Sequence, residues 1–236
     1  MLTFPVPANK FTASSPKLTD HSKQSSDDAA DRANTKADRA KAKALEQFYT
    51  CPQVAYKLYK SLCAMFDPAD FLMVEPSAGT GVFFDLLPHG SLGFDLEPKY
   101  SGIQKADFLK TTICGDWKVA VIGNPPFKLA VPFFNHAAQR ANVIAMIMPR
   151  SVRKASIENR LDRGFHLIHE EIVPDDAFFF LGKRRNVPAV FQIWERRAEP
   201  RQLRPIKTTH ADFEFVDAVD ADFAIQRVGA RAGRVH

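Results

Sequence analysis

Cysteine is scarce. Cys51, Cys63 and Cys114 are the whole complement. They are scattered, odd in number and without paired metal-ligand spacing. No disulfide framework and no metal site is therefore expected, and reduced buried thiols are the default. Long apolar runs are missing too: none approaches the roughly 18 residues that span a bilayer, so no membrane partner is expected. Met1 to Lys10 lack a charged segment leading into a long apolar stretch, which argues against a secretory signal. No internal repeat is visible. These absences point to a soluble, cytoplasmic protein.

What is present is enough for a proper core. The 236 residues are 45% hydrophobic, sufficient for one large domain or two small ones. The net charge of +5 is moderately basic, compatible with a polyanionic partner without demanding one. Its distribution is more informative. Arg150, Arg153, Lys154, Arg160 and Arg163 sit together, as do Lys183, Arg184 and Arg185. A charge cluster is ordinarily a solvated face. Placement after strand ends makes Arg150 and Lys183 to Arg185 candidates for phosphate contact.

In chain order, residues 1–36 are polar and read as a disordered tail. Residues 37–46 have helical propensity. Thr50 is a candidate N-cap, with Pro52 in the first turn and Gln53 three residues on. Val54, Leu58, Leu62 and Met65 then recur at helical spacing, for about four turns before Pro68. Phe71 to Val74 is a short buried strand. It ends in Glu75-Pro76-Ser77-Ala78-Gly79-Thr80-Gly81, and a helix is expected behind that turn. The two glycines allow positive φ and close approach of a ligand. There is no third glycine at dinucleotide spacing and no following Lys-Ser/Thr, which argues against NAD and P-loop readings.

The next strand, Ser91 to Asp95, places Asp95 at its C-terminal end, where an acid can grip ribose hydroxyls. A weak strand, Ile103 to Ala106, leads into Asp107 and Phe108, which could meet an adenine amine and ring. Val119-Ala120-Val121-Ile122 is a fully apolar strand ending in Gly123-Asn124-Pro125-Pro126-Phe127. Two prolines forbid immediate continuation as strand or helix. The loop offers the Asn124 amide oxygen and the Pro125 carbonyl as acceptors, with Phe127 as a flat apolar face. Two convergent acceptors suit a group with two N–H donors, such as an exocyclic amine. A helix over 129–140, a strand over 142–148, a helix to Leu161 and a strand over 165–173 follow. Phe178, Phe179 and Phe180 fall in a loop, and 187–194 is the last strand. The expected fold is α/β: a seven-stranded, mostly parallel Rossmann-like sheet with helices on both faces. The last strand follows without an intervening helix and so enters antiparallel.

Taken together, these segments resemble the class I S-adenosylmethionine-dependent methyltransferases, and within them the DNA adenine-N6 enzymes with gamma motif order. Phe48-Tyr49-Thr50-Cys51-Pro52 is similar to the motif bordering the methionine moiety of the cofactor. Glu75 to Gly81 resembles the Gly-rich cofactor loop, Gly93-Phe94-Asp95 the ribose-binding strand end, and Ala106 to Leu109 the adenine-holding segment. Asn124-Pro125-Pro126-Phe127 matches the catalytic motif without departure. The resemblance implies S-adenosyl-L-methionine as cofactor, held by Phe48, Tyr49, Thr50, Glu75, Pro76, Ser77, Ala78, Gly79, Thr80, Gly81, Asp95, Asp107, Phe108 and Asn124. It implies catalysis by Asn124, Pro125, Pro126 and Phe127. The extruded adenine would lie between Phe127 and either Phe179 or Phe180. Nucleic acid is the implied partner, with DNA favoured and RNA the alternative; a silent nucleic-acid-binding subunit is the rival of another class. The catalytic domain is expected over 37–197. Only about forty residues follow Trp194, too few for a well-buried domain. The 198–236 stretch is thus expected to be a short extension, either a truncated or a minimal recognition region, and a protein partner could supply sequence recognition.

Overall fold

The computed structural model describes residues 2–4, 48–206, 209, 211–217, 219–226 and 231–236. The helix expected over 37–46, and the tail apart from residues 2–4, lie outside these. The chain divides into two compact units, Met1–Leu203 and Arg204–His236.

The first unit is built on a seven-stranded sheet. Its strands are β3 (Leu72–Glu75), β4 (Leu92–Asp95), β5 (Gln104–Lys105), β7 (Val119–Gly123), β8 (Val143–Pro149), β9 (Phe165–Ile172) and β12 (Ala189–Arg196), in the order β5-β4-β3-β7-β8-β12-β9. The pairs from β5 to β8 are parallel, and β12 lies antiparallel between β8 and β9. This is the Rossmann-like, mostly parallel sheet with a reversed last strand that the sequence leads one to expect.

Strand alternation explains how both faces are covered. Leu72, Val74, Val119, Val121, Ile144, Met146 and Trp194 pack on one face with Ala130, Phe133, Phe134 and Ala137 of helix α2 (Ala130–Ala137). Met73, Ala120, Ile122, Ala145, Ile147, Phe191 and Ile193 pack on the other with Ala55, Leu58 and Leu62 of helix α1 (Pro52–Cys63). Two apolar faces are why β7 and β8 read as unbroken apolar runs rather than alternating ones. Asn142 aligns their starts: its Oδ1 accepts from the Val119 N–H at 2.9 Å.

Several expected elements differ. Behind Gly81 there is no α-helix, only a 3-10 turn at Phe84–Leu86. Pro88 keeps Leu87 extended, and the few residues before it cannot support a nucleated helix. No helix separates β4 from β5 either; Pro98 and Gly102 occupy that short span. The segment after β8 is a 3-10 turn, Arg150–Arg153, followed by one turn of helix, α3 (Ala155–Glu158), because Lys154 is extended. Helices α1 and α2 are both shorter than the periodicity predicts.

Thr50 is not an N-cap. It belongs to β2 (Tyr49–Thr50), and Cys51 takes the cap position without a side-chain bond. Phe178, Phe179 and Phe180 are not loop but strand β10 (Phe178–Phe180), which forms a hairpin with β11 (Lys183–Arg185) and pairs with β2 on its other side. Leu181 and Gly182 turn the hairpin with φ of 50° and 71°, the backbone sense a two-residue hairpin turn needs. Leucine rarely adopts it, which hid this hairpin in the sequence. Leu2–Phe4 forms β1, parallel to β6 (Thr111–Ile113). Of the three thiols only Cys51 is buried; Cys63 is intermediate and Cys114 exposed. Among the described residues no helix is long and apolar enough to cross a membrane.

In the second unit, Ile225 and Val235 form an isolated antiparallel bridge and Phe213 meets Phe215 edge-on.

Candidate active site

Parallel strands release their loops at one edge of the sheet. A cavity of about 400 Å³ lies there, beyond the carboxyl ends of β3, β4, β5 and β7. Such a crevice is where open α/β sheets hold ligands.

The Gly-rich turn forms one wall. Gly79 and Gly81 have φ of 49° and 81°. A side chain on Gly79 would begin 2.9 Å from the Tyr49 ring, and one on Gly81 would begin 2.5 Å from Tyr100. The turn is thus sheathed by two tyrosines and has no room for a Cβ at either glycine. Lys99 lies over the outer face of Tyr49, 4.8 Å from the ring centroid. Asp95 fixes the turn to the end of β4: its Oδ2 accepts from the Gly79 N–H at 2.8 Å and its Oδ1 from the Glu97 N–H at 2.7 Å. Each carboxylate oxygen retains a further acceptor position for a ligand hydroxyl.

The far wall is apolar. Ala106, Phe108, Leu109, Leu129 and Phe133 line it. Phe108 is 2% exposed and packs against Phe94, Phe133 and His136. It is a core residue that also lines the cavity. Asp107 caps the 3-10 turn at Phe108–Lys110, accepting from the Leu109 N–H at 3.1 Å, and pairs with Lys110 at 3.2 Å.

The Asn-Pro-Pro-Phe loop closes the third side. The Asn124 Nδ2 donates to the Phe48 carbonyl at 2.9 Å, and the Ser77 hydroxyl donates to the Asn124 carbonyl at 3.1 Å. The Asn124 Oδ1 is buried and has no hydrogen-bond partner. It shares that condition with Thr50 Oγ1 and Glu75 Oε2, and all three residues line the same cavity. Buried polar atoms are nearly always paired; of the six unpaired ones among the described residues, three belong to residues lining this cavity, a concentration that suits a polar ligand. Glu75 receives a main-chain hydrogen bond from Phe84, yet complete burial holds its carboxyl well above the usual carboxylate range.

Of the residues singled out in the sequence, Phe48, Tyr49, Thr50, Glu75, Pro76, Ser77, Ala78, Gly79, Thr80, Asp95, Asp107, Phe108, Asn124 and Pro126 all line this cavity. Gly81, Pro125 and Phe127 lie outside its lining. Phe127 is half-buried and meets Phe178 edge-on, at 6.2 Å between ring centres. Phe180 lies on Phe48 in a stacked arrangement, 4.9 Å between centres and 27° between planes. Phe179 lies beneath the Arg184 guanidinium, 5.5 Å away. Arg184 also pairs with Asp176, and Arg150 approaches Asp175 at 3.9 Å. Two of the candidate phosphate contacts therefore have acidic neighbours, while Lys183 and Arg185 are exposed on β11.

Sequence reading missed Val82, Phe83, Leu96, Lys128, Leu129 and Phe133, which also line the cavity. Lys128 and Leu129 directly follow the Asn-Pro-Pro-Phe loop. Phe133 lies one helical turn beyond Leu129, so the helical period starting from that loop was the available signal.

No protein-family model matches the sequence, and no curated protein matches it. Among solved structures, a Pyrococcus horikoshii protein assigned as an RNA methyltransferase is 18% identical, with a TM-score of 0.47 over 64% of this chain and 87% of that one. The 23S rRNA methyltransferase ErmE is 15% identical, with a TM-score of 0.43 over 65% of this chain and 70% of that one. The magnesium protoporphyrin IX methyltransferase ChlM from Synechocystis PCC 6803, solved with bound SAM, is 13% identical, with a TM-score of 0.44 over 62% and 79%. These similarities are distant.

Proposed function

We propose that this protein transfers a methyl group from S-adenosylmethionine to the exocyclic N6 amine of adenine in DNA. The observation that carries the reading is the Asn124 amide, held by its nitrogen to the Phe48 carbonyl and left with a buried, unpartnered Oδ1 beside the cavity. An unpaired buried acceptor costs about 1–3 kcal/mol. A substrate N–H donor removes that cost.

The cavity's chemistry fits the cofactor piece by piece. The apolar wall of Phe108, Leu109, Leu129 and Phe133 suits an adenine ring. Asp95, at the strand end beside the Gly-rich turn, suits the ribose hydroxyls. Thr50 and Glu75 offer unpaired polar atoms to a charged amino-acid tail. When bound, S-adenosylmethionine supplies an electrophilic sulfonium methyl.

The chain's own part is positioning and polarisation. A target adenine leaves the base stack. Its N6 donates to the Asn124 Oδ1 and to the Pro125 carbonyl. Both bonds draw the amine away from planarity and localise its lone pair for attack. The half-buried Phe127 ring provides a stacking surface for the base. The two prolines fix the loop, so the acceptors need little reorganisation. The positive end of the β10–β11 hairpin, with Lys183 and Arg185 exposed, meets the phosphate backbone.

The test is labelled methyl transfer from S-adenosylmethionine to DNA and RNA in parallel, followed by nucleoside analysis. Label in N6-methyladenine from DNA is expected. Label only in RNA, in another base, or in neither polymer overturns the substrate assignment.

A further inference from the structure

Phe48 sits where two separate elements meet. Its carbonyl accepts from the Asn124 Nδ2 at 2.9 Å, and its ring stacks on Phe180 at 4.9 Å. The second contact is the continuation of a ladder. Strand β2 pairs with β10 through Phe178 opposite Thr50 and Phe179 opposite Tyr49. The next step of that antiparallel register sets Phe180 opposite Phe48. On the other side the same register carries on, with the Cys51 N–H donating to the Ala177 carbonyl at 2.8 Å. Phe48 and Phe180 are thus a cross-strand aromatic pair, a standard stabilising unit of a sheet.

The consequence concerns the amide. A main-chain carbonyl only accepts, so bonding to Phe48 assigns the nitrogen of Asn124 to that side and leaves the oxygen as its unpartnered atom. If the Phe48 carbonyl moved, the amide would lose the bond that fixes its orientation. A rotated amide would present N–H donors to an amine that is itself a donor. The Phe180 ring, stacked on the Phe48 ring, restrains that residue across the strand pair.

We infer that Phe180 is a positioning residue: through its stack on Phe48 it orients the Asn124 amide so that Oδ1, not Nδ2, faces the substrate amine. This rests on the reading of Asn124 as the acceptor of the target amine. It assigns Phe180 a role distinct from stacking on the base, and it makes the β10–β11 hairpin the element that sets the acceptor geometry. A nucleic acid gripped by Lys183 and Arg185 then acts on the same hairpin that fixes Asn124.

The test is hydrogen exchange at the Asn124 side-chain amide in the ¹⁵N-labelled, ligand-free protein, with the signal assigned by its loss in Asn124→Asp. Phe180→Ala is expected to speed this exchange by about two- to tenfold, the size of one aromatic pair. Phe180→Tyr keeps the stack and is expected to preserve the wild-type rate. Phe48→Ala should match Phe180→Ala, and the double variant should be no faster than either, because both remove one interaction. In methyl transfer, Phe180→Ala should lower kcat with KM for nucleic acid unchanged. Unchanged exchange in Phe180→Ala, or a raised KM with unchanged kcat, overturns the inference and returns Phe180 to base stacking. Misfolding of Phe180→Ala is detected by circular dichroism, and Phe180→Leu then takes its place, with the same exchange outcome deciding. The exchange readout needs no methyl acceptor. A wild type that methylates nothing, yet shows the coupled exchange, contradicts the functional reading alone.

Discussion

The Gly79 N–H donates to the Asp95 Oδ2 at 2.8 Å, joining the Gly-rich turn after β3 to the end of β4. One carboxylate thereby shapes the turn and remains available to a ligand. Gly79 is buried, so removing its acceptor leaves an N–H without a partner, at a cost of about 1–3 kcal/mol. Asp95→Ala is expected to lower stability by that amount and to weaken S-adenosylmethionine binding by at least about tenfold, roughly one lost hydrogen bond to a charged group. Calorimetry checks the second effect. Unchanged affinity removes Asp95 from the ligand site and leaves it a turn residue.

Gly79 itself is confined by its φ of 49° and by the Tyr49 ring 2.9 Å from any added Cβ. Left-handed backbone costs a residue with a side chain roughly 1–2 kcal/mol. Gly79→Ala should therefore lower the midpoint of urea unfolding. Adding Tyr49→Ala should recover the steric part and not the backbone part. A Gly79→Ala variant as stable as wild type would show that the turn relaxes freely.

The pH dependence of stability turns on Glu75. Its carboxyl is fully buried, and desolvation raises its folded-state pKa well above the ordinary 4.5. The folded protein holds this proton more tightly than the unfolded chain does. The contribution of Glu75 is thus fully present below about pH 4.5 and fades as pH rises through the folded value. Glu75→Gln carries no such proton. In the ligand-free protein it should gain Tm over wild type as pH rises from 5 to 8. A difference in Tm that does not vary with pH contradicts the burial argument.

Arg184 and Asp176 form an ion pair in which both side chains are more than half exposed. Such a pair adds little stability, about 0–1 kcal/mol. It does compete with phosphate for the guanidinium. Asp176→Asn should therefore tighten DNA binding with little change in Tm. Arg184→Ala should weaken binding and reduce the salt slope of log K by about 1, one phosphate contact. A salt slope indifferent to Arg184 would return it to an ordinary surface residue.

The sheet was legible because Val119 to Ile122 and Val143 to Met148 are buried on both faces, and unbroken apolar runs bounded by turn residues are hard to mistake for anything else. The antiparallel β12 was legible from the missing helix before it. The hairpin of β10 and β11 was not: Leu181-Gly182 does not carry the Asn-Gly or Asp-Gly signature of its turn, and Lys183 to Arg185 look like a solvated connection. Thr50 and Gln53 imitated a capping box, but the partner strand β10, 128 residues on from Thr50 at Phe178, drew Thr50 into a sheet. Cavity residues within loop motifs could be picked out by residue type. Phe133, on a helix and indistinguishable by type from a core phenylalanine, could not.

The most direct measurement is methyl transfer to DNA by wild type and Asn124→Ala side by side, with cofactor affinity measured on both. The acceptor for the substrate amine acts mainly in the transition state, and loss of one such group costs about 10²–10³ in rate. Wild type should place label in N6-methyladenine. Asn124→Ala should fall by about that factor while retaining near-wild-type S-adenosylmethionine affinity. An Asn124→Ala enzyme as active as wild type would contradict the account.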